Sequence, residues 1–143
     1  MKPRARMSSV TRARVMRSIR STNTRPELIV RRLLRTLRMH YRVHARELPG
    51  RPDIVNRRAR VAILVHGCFW HQHDGCALAR VPRSRPDYWP RKLARNRERD
   101  QINIRKLAGE GWRVLVIWEC ETTGDMHGLT ARLKTFVSDT ERL

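Results

Sequence analysis

Cys68, Cys76 and Cys120 are the chain's three cysteines, and an odd number cannot all pair in internal disulfides. Zinc takes four tetrahedral ligands from thiolate and imidazole, so these three with one histidine would make a closed site, structural rather than catalytic. His73 stands three residues before Cys76, a workable spacing; His66 and His71 are rival fourth ligands, and three buried free thiols is the reading without metal. Among the acids, Asp53 opens a short apolar segment. A carboxylate there suits Mg²⁺, which takes hard oxygen ligands and a phosphate, or simply caps a turn. Asp100 shares a helical stripe with Leu93, Ile104 and Leu107. A carboxylate on a buried stripe must be paired or functional. An arginine salt bridge is the plain reading. The sharper one is a partner for His66 or His71 that fixes the imidazole tautomer. Glu27 falls on the face of Val30 and Leu34, where a capping box explains it without an active-site role. Phe69-Trp70 lies inside the ligand-rich loop and Tyr88-Trp89 in an arginine- and proline-rich one. Such aromatics either pack on the loop or wedge between base steps.

These residues need elements to position them. Thr24-Arg25-Pro26-Glu27 starts a helix, with Val30, Leu33, Leu34 and Leu37 as its buried face. Residues 41–45 and 53–56 read as short strands, Arg57-Arg58 as a tight turn, and 61–65 as a strand buried on both faces. Residues 67–88 are irregular. A helix over 90–108 ends at Gly109 or Gly111, a second buried strand covers 112–118 with Trp112 and Trp118 in the core, and a last helix covers 129–138. The strand–helix–strand unit from Val61 to Trp118 is expected to be a right-handed parallel crossover. Both its strands then leave the sheet on one edge, where sites of α/β proteins cluster: His66 to Cys76 follow the first, Glu119 and Cys120 the second. If 53–56 pairs antiparallel with the first, Asp53 faces His66. The expected fold class is α/β, with a mixed central sheet flanked by helices in two or three layers.

The formal net charge of +19 favours a polyanionic partner. Before the first acid, Glu27, the chain carries Lys2, Arg4, Arg6, Arg12, Arg14, Arg17, Arg20 and Arg25. Residues 1–20 read as a basic, partly helical arm that contacts phosphates or is merely solvated, and residues 21–143 as a single domain. No apolar run is long enough to span a bilayer and no signal-peptide core follows the basic start. The expected location is therefore cytoplasmic, associated with the nucleoid.

Four motifs in this order, Pro49-Gly50-Arg51-Pro52-Asp53, His66-Gly67-Cys68-Phe69-Trp70-His71, Asn96-Arg97-Glu98-Arg99-Asp100 and Gly111 to Cys120 (GWRVLVIWEC), resemble the very short patch repair (Vsr) DNA mismatch endonuclease family. The resemblance runs from about Thr11 to Cys120. It implies a restriction-endonuclease-like fold with a zinc-bound loop. It also implies a strand-specific, Mg²⁺-dependent nick 5′ to the thymine of a T:G mismatch left by 5-methylcytosine deamination. By position, it implies Asp53 as the magnesium ligand, joined by the main-chain carbonyl of Val65, which stands where the family can have threonine. It implies His66 and His71 as active-site histidines with Asp100 behind them, Glu27 as a helper, and Cys68, His73, Cys76 and Cys120 as structural zinc ligands. Phe69, Trp70 and Trp89 correspond to the aromatic wedge, and Arg12, Arg14 and Arg17 lie in the arm expected on DNA. The Glu-x-Lys half of the usual restriction-nuclease signature is missing, as the resemblance leads one to expect. The expected partner is double-stranded DNA with a T:G mismatch, with action as a monomer, since a nick needs one active site, and with mismatch-repair proteins downstream. The alternatives are a restriction-like endonuclease of other specificity and a zinc-stabilised nucleic-acid-binding protein that does not cut.

Overall fold

A computed structural model describes residues 22–141 and the side chains through residue 139. The basic arm expected over 1–20, with Arg12, Arg14 and Arg17, lies outside the described residues. Helix α1 (Arg25–Thr36) begins where the cap chemistry places it: the Glu27 amide donates to Thr24 Oγ1 at 3.4 Å. The Glu27 carboxylate accepts from the amide of Asn23, not from that of Thr24 as a capping box requires. Arg38, in the left-handed region at φ 58°, turns the chain out, and the Met39 amide closes the end on Leu34 O at 3.0 Å.

Four strands follow in sheet order β1 (Arg42–Val43), β2 (Ile54–Asn56), β3 (Val61–His66) and β4 (Arg113–Trp118). The first two pairs are antiparallel; β3 and β4 are parallel, with Val61 beside Arg113 and His66 beside Trp118. Strand β1 is shorter than its apolar pattern suggests because His44 takes φ 52°, although the His44 and Ala45 amides still bond to Asp53 O and Pro52 O. The register sets Ile54 against Ile63, so Asp53 comes level with Leu64 and not with His66 as expected.

Helix α2 (Trp89–Gly109) makes the crossover between β3 and β4. Its last residue is Gly109, and beyond the cap at Glu110 the chain turns at Gly111, whose φ of +87° an L side chain rarely adopts, while the Trp112 amide bonds back to Leu107 O. Helix α3 (Met126–Glu141) starts earlier than its apolar pattern suggests. Asp125 caps it by accepting the Gly128 amide at 3.0 Å.

Two cores make three layers. On one face of the sheet Val30 and Leu34 of α1 and Leu129, Leu133 and Val137 of α3 close over Ile54, Val61, Ile63 and Ile117. On the other, Leu107 and Trp112 cover Val55 and Ala62. Strand β3 is covered on both sides, which is why its sequence is a continuous apolar run. The molecule is thus an α/β protein with a mixed four-stranded sheet. No described helix is long and apolar enough to cross a membrane.

Candidate active site

The parallel register brings His66 and Trp118 side by side at the carboxyl edge, and the segments leaving them cross. The Cys68 amide donates to Glu119 Oε1 at 3.2 Å, and the Cys120 amide to Cys68 Sγ at 3.4 Å. The loop after β3 folds back on itself, the His73 amide bonding to Cys68 O and that of Cys76 to His73 O. Gln72, at φ 50°, donates its side-chain amide to Phe69 O and Ala79 O.

This folding gathers Cys68, His73, Cys76 and Cys120, whose donor atoms all lie within 4.8 Å of one another. His73 Nδ1 stands 3.4 Å from Cys120 Sγ and 3.7 Å from Cys68 Sγ. A tetrahedral ion with bonds of about 2.0 to 2.3 Å requires donors spaced in this way. The rival histidines, His66 and His71, turn elsewhere. Burial pushes the Cys68 thiol up to about 12 and raises Cys120 as well. Deprotonating such thiols in place needs a nearby cation, which is the chemistry of a metal-binding donor set.

On the other side of Trp118 lies a second group. His66, only 7% exposed, stacks on His71 with ring centroids 3.9 Å apart and planes 5° from parallel. His71 Nδ1 meets Asp100 Oδ2 at 2.6 Å. An ionised carboxylate only accepts, so Nδ1 carries a proton, and in the neutral ring Nε2 is the nitrogen left as acceptor. His66, His71 and Asp100 each bring a donor atom within 4.8 Å of the others, so this group too has donors close enough for a metal ion; a stacked imidazole pair backed by a carboxylate equally suits proton transfer and phosphate contact. Burial, reinforced by His71, holds the His66 imidazole down at about 4, so it is neutral near pH 7. Asp100 sits on the α2 stripe above Leu93 and Leu107, both buried.

Asp53 closes the group. Its Oδ2 accepts the Val65 amide at 2.7 Å. Burial raises its carboxyl to about 7 against that hydrogen bond, and neighbouring Glu27 raises it further. Two carboxylates side by side in a partly dehydrated place form an oxygen donor set for a hard cation. Glu27 is 2% exposed and is gripped by Arg31 (3.1 Å) and His44 (3.2 Å). Sequence reasoning missed both. The Arg31 spacing, four residues after Glu27 on a helix, was visible; the His44 contact was not.

One cleft of about 1200 Å³ takes in Glu27, His44, Asp53, His66, His71 and Asp100. Arg46, Arg51, Lys92 and Arg99 add positive charge to the same walls. Gly50 lets the chain pass the helix: it has φ +72°, and a Cβ there would stand 2.9 Å from Asn103 Cβ. At the rim, Phe69, Trp70 and Trp89 pack with centroids 5.0 to 6.0 Å apart, and Tyr88 joins Trp89 at 5.0 Å. The Asn96 side chain donates to Trp70 O and ties this cluster to α2. Trp112 is core, as its strand predicts. Trp118 is instead the partition between the two groups, 5.3 Å from His66 and stacked on His73 at 4.2 Å.

Comparison with known proteins gives this geometry a context. Residues 6–78 match the sequence model of the family described as DNA mismatch endonuclease Vsr. The chain is 48% identical to the type II nicking enzyme V.XorIIP of Xanthomonas oryzae pv. oryzae, over 92% of this chain and 96% of that protein. It is 40% identical to the DNA mismatch endonuclease Vsr of Escherichia coli, over 89% and 83%. It is 39% identical to the type II nicking enzyme V.NmeAIP of Neisseria meningitidis serogroup A, over 77% and 78%.

Proposed function

Because the chain belongs to the Vsr family of DNA mismatch endonucleases and is therefore a DNA endonuclease, a hydrolase, we propose that it nicks one strand of duplex DNA 5′ to the thymine of a T:G mismatch. Such mismatches arise from 5-methylcytosine deamination, and the nick starts very short patch repair. The observation that carries this reading is the meeting, in one cationic cleft, of a hard-oxygen pair (Asp53, Glu27) with an imidazole whose Nε2 is the acceptor of the neutral ring (His71 on Asp100).

Hydrolysis adds water to phosphorus and expels one ester oxygen. Asp53 and the main-chain carbonyl of Val65 are the residues to hold magnesium; the Val65 amide already binds the Asp53 carboxylate. When bound, magnesium supplies charge for the phosphate and lowers the pKa of a coordinated water. His71 Nε2 accepts the proton of the attacking water, Asp100 stabilises the imidazolium that results, and neutral His66 supplies a hydrogen bond to the phosphate. Cys68, His73, Cys76 and Cys120 hold a structural zinc that fixes the loop carrying His71, Phe69 and Trp70. With Trp89, these two aromatics wedge into the base stack beside the mismatch. Arg12, Arg14 and Arg17 of the arm, together with the cleft's arginines, contact phosphates.

In this reading residues 21–143 are one restriction-endonuclease-like domain and residues 1–20 a DNA-contacting arm. The enzyme works as a monomer in the cytoplasm, on nucleoid DNA, and passes its product to mismatch-repair proteins.

The test is nicking with Mg²⁺ on end-labelled duplexes that differ in one pair, T:G against C:G, with flanking bases varied. A single-strand cut 5′ to the mismatched thymine and none in the C:G duplex is the expected result. Equal cutting of both points to a restriction-like specificity, and tight binding without a cut to a non-catalytic binder; either outcome refutes the proposal.

A further inference from the structure

Among the described residues, three donors converge on one oxygen of the Glu27 carboxylate, and its side chain shares a further hydrogen bond with Asp53. Its Oε2 accepts the Asn23 amide at 3.0 Å, Arg31 Nη2 at 3.1 Å and His44 Nε2 at 3.2 Å. Arg31 Nη2 also lies 3.2 Å from His44 Nε2. Arginine has no acceptor and an ionised carboxylate no donor. The arrangement that serves both therefore puts the imidazole proton on Nε2, with arginine and histidine donating to the same oxygen. A glutamate–arginine pair one helical turn apart is common on helix surfaces and worth little there. This one is buried, and its third member comes from beyond β1, seventeen residues from Glu27 in sequence.

The fold accepts two unfavourable features to build it. His44 is a non-glycine residue in the left-handed region, at φ 52°, and Arg31 Nε is buried with no hydrogen-bond partner among the described residues. His44 also touches both acids at once: its ring holds Glu27 while its amide donates to the carbonyl of Asp53 at 3.0 Å. Local strain and an orphaned donor are the marks of a group placed for a task other than folding.

From this geometry we infer that Arg31 and His44 are positioning residues of the nicking centre. They immobilise Oε2 of Glu27 and so fix the carboxylate that shares a hydrogen bond with Asp53, where a divalent cation or its hydration water would take the place of the shared proton. They thereby set how tightly that cation is held. The inference rests on the reading of Asp53 as the magnesium residue.

The test titrates Mg²⁺ alone into the zinc-loaded protein without DNA, following the melting midpoint, and in parallel measures nicking against Mg²⁺ concentration. Arg31→Met and His44→Phe keep bulk and remove the donors; they are made separately, so that failure of one to fold leaves the other. Arg31→Lys and His44→Gln return a donor. The Mg²⁺ concentration giving half the melting shift, and half the maximal nicking rate, should rise about tenfold in the Met and Phe variants, as for partners behind a metal ligand. It should return to within about threefold of the parent in the Lys and Gln variants. A parental Mg²⁺ response in both Arg31→Met and His44→Phe overturns the inference, as does a fall in maximal rate with an unchanged Mg²⁺ requirement. Asp53→Asn, run alongside, separates the two levels. A melting response that survives in Asp53→Asn defeats the Asp53 reading itself. One lost there but intact in the Arg31 and His44 variants defeats only the positioning role.

Discussion

Two donor groups flank Trp118. Against its face His73 stacks at 4.2 Å, bringing three thiol sulfurs within 4.8 Å of the imidazole nitrogen and of each other. On its other side, 5.3 Å away, His66 leads to His71, Asp100 and the acids at Asp53. Both groups spring from the ends of the same parallel pair, β3 and β4. Their donors differ in kind: three soft sulfurs and one imidazole in the first, carboxylate oxygens and imidazoles in the second. Four converging donors fill a coordination sphere and leave no place for substrate. A carboxylate pair beside an acceptor imidazole nitrogen, at the wall of an open cleft, leaves places for water and phosphate. In the proposed reading one strand edge carries a structural and a chemical site on the same loop: Cys68 and His73 serve the one, and His71, three residues after Cys68 and two before His73, serves the other.

The comparison breaks most visibly in Cys68→Ser. Cys68 is fully buried, and its amide and sulfur tie its own loop to the segment that leaves β4. The variant should lose its zinc, and with it at least about 3 kcal/mol of stability, because structural zinc binding is folding free energy. Nicking should fall with it, since His71 and the aromatics lie on the same loop. Metal analysis and denaturant unfolding check this. Asp100→Asn acts on the other group alone. It removes the charge behind His71 and allows the wrong tautomer, so the nicking rate should drop by about 10² to 10³, with zinc content and DNA affinity unchanged. Single-turnover rates and a binding titration decide it.

The smallest effect is on pH. His66 is held down at about 4 in the fold, against an ordinary value of 6.5. Between those values the unfolded chain binds the extra proton and the folded one does not. Stability is therefore lost as pH falls from about 6.5 towards 4, by up to roughly 3 kcal/mol if burial were undiminished. In His66→Gln the slope over that window should flatten, as denaturation midpoints taken at pH 7, 6 and 5 will show. An unchanged slope would place the acid sensitivity elsewhere.

Much of this division was legible in the sequence because it rests on local patterns. The cap at Thr24, the apolar runs of β3 and β4 and the Asp100 stripe each depend on residues close in the chain, and the parallel crossover those runs imply brings the exit carrying Cys68 and Cys76 to the exit carrying Cys120. The resemblance carried by the four motifs extended the reading to roles. What was not legible depends on long-range register or on backbone torsion. Asp53 lands level with Leu64 because the turn after Asn56 fixes the pairing at Ile54 and Ile63. The grip of His44 on Glu27 requires a left-handed residue at the end of β1, which no apolar pattern announces. Trp118 was expected in the core from its strand; only the side-by-side placement of His66 and Trp118 makes it the wall between the two groups.

The most direct test of that division is Asp53→Asn, with zinc content, affinity for a T:G duplex and Mg²⁺-dependent nicking measured on one preparation. The account predicts one zinc per chain and parental DNA affinity, with nicking lost by a factor of about 10³ or more, as for removal of a metal ligand from a hydrolytic centre. Nicking at the parental rate, or loss of the zinc together with activity, would contradict it.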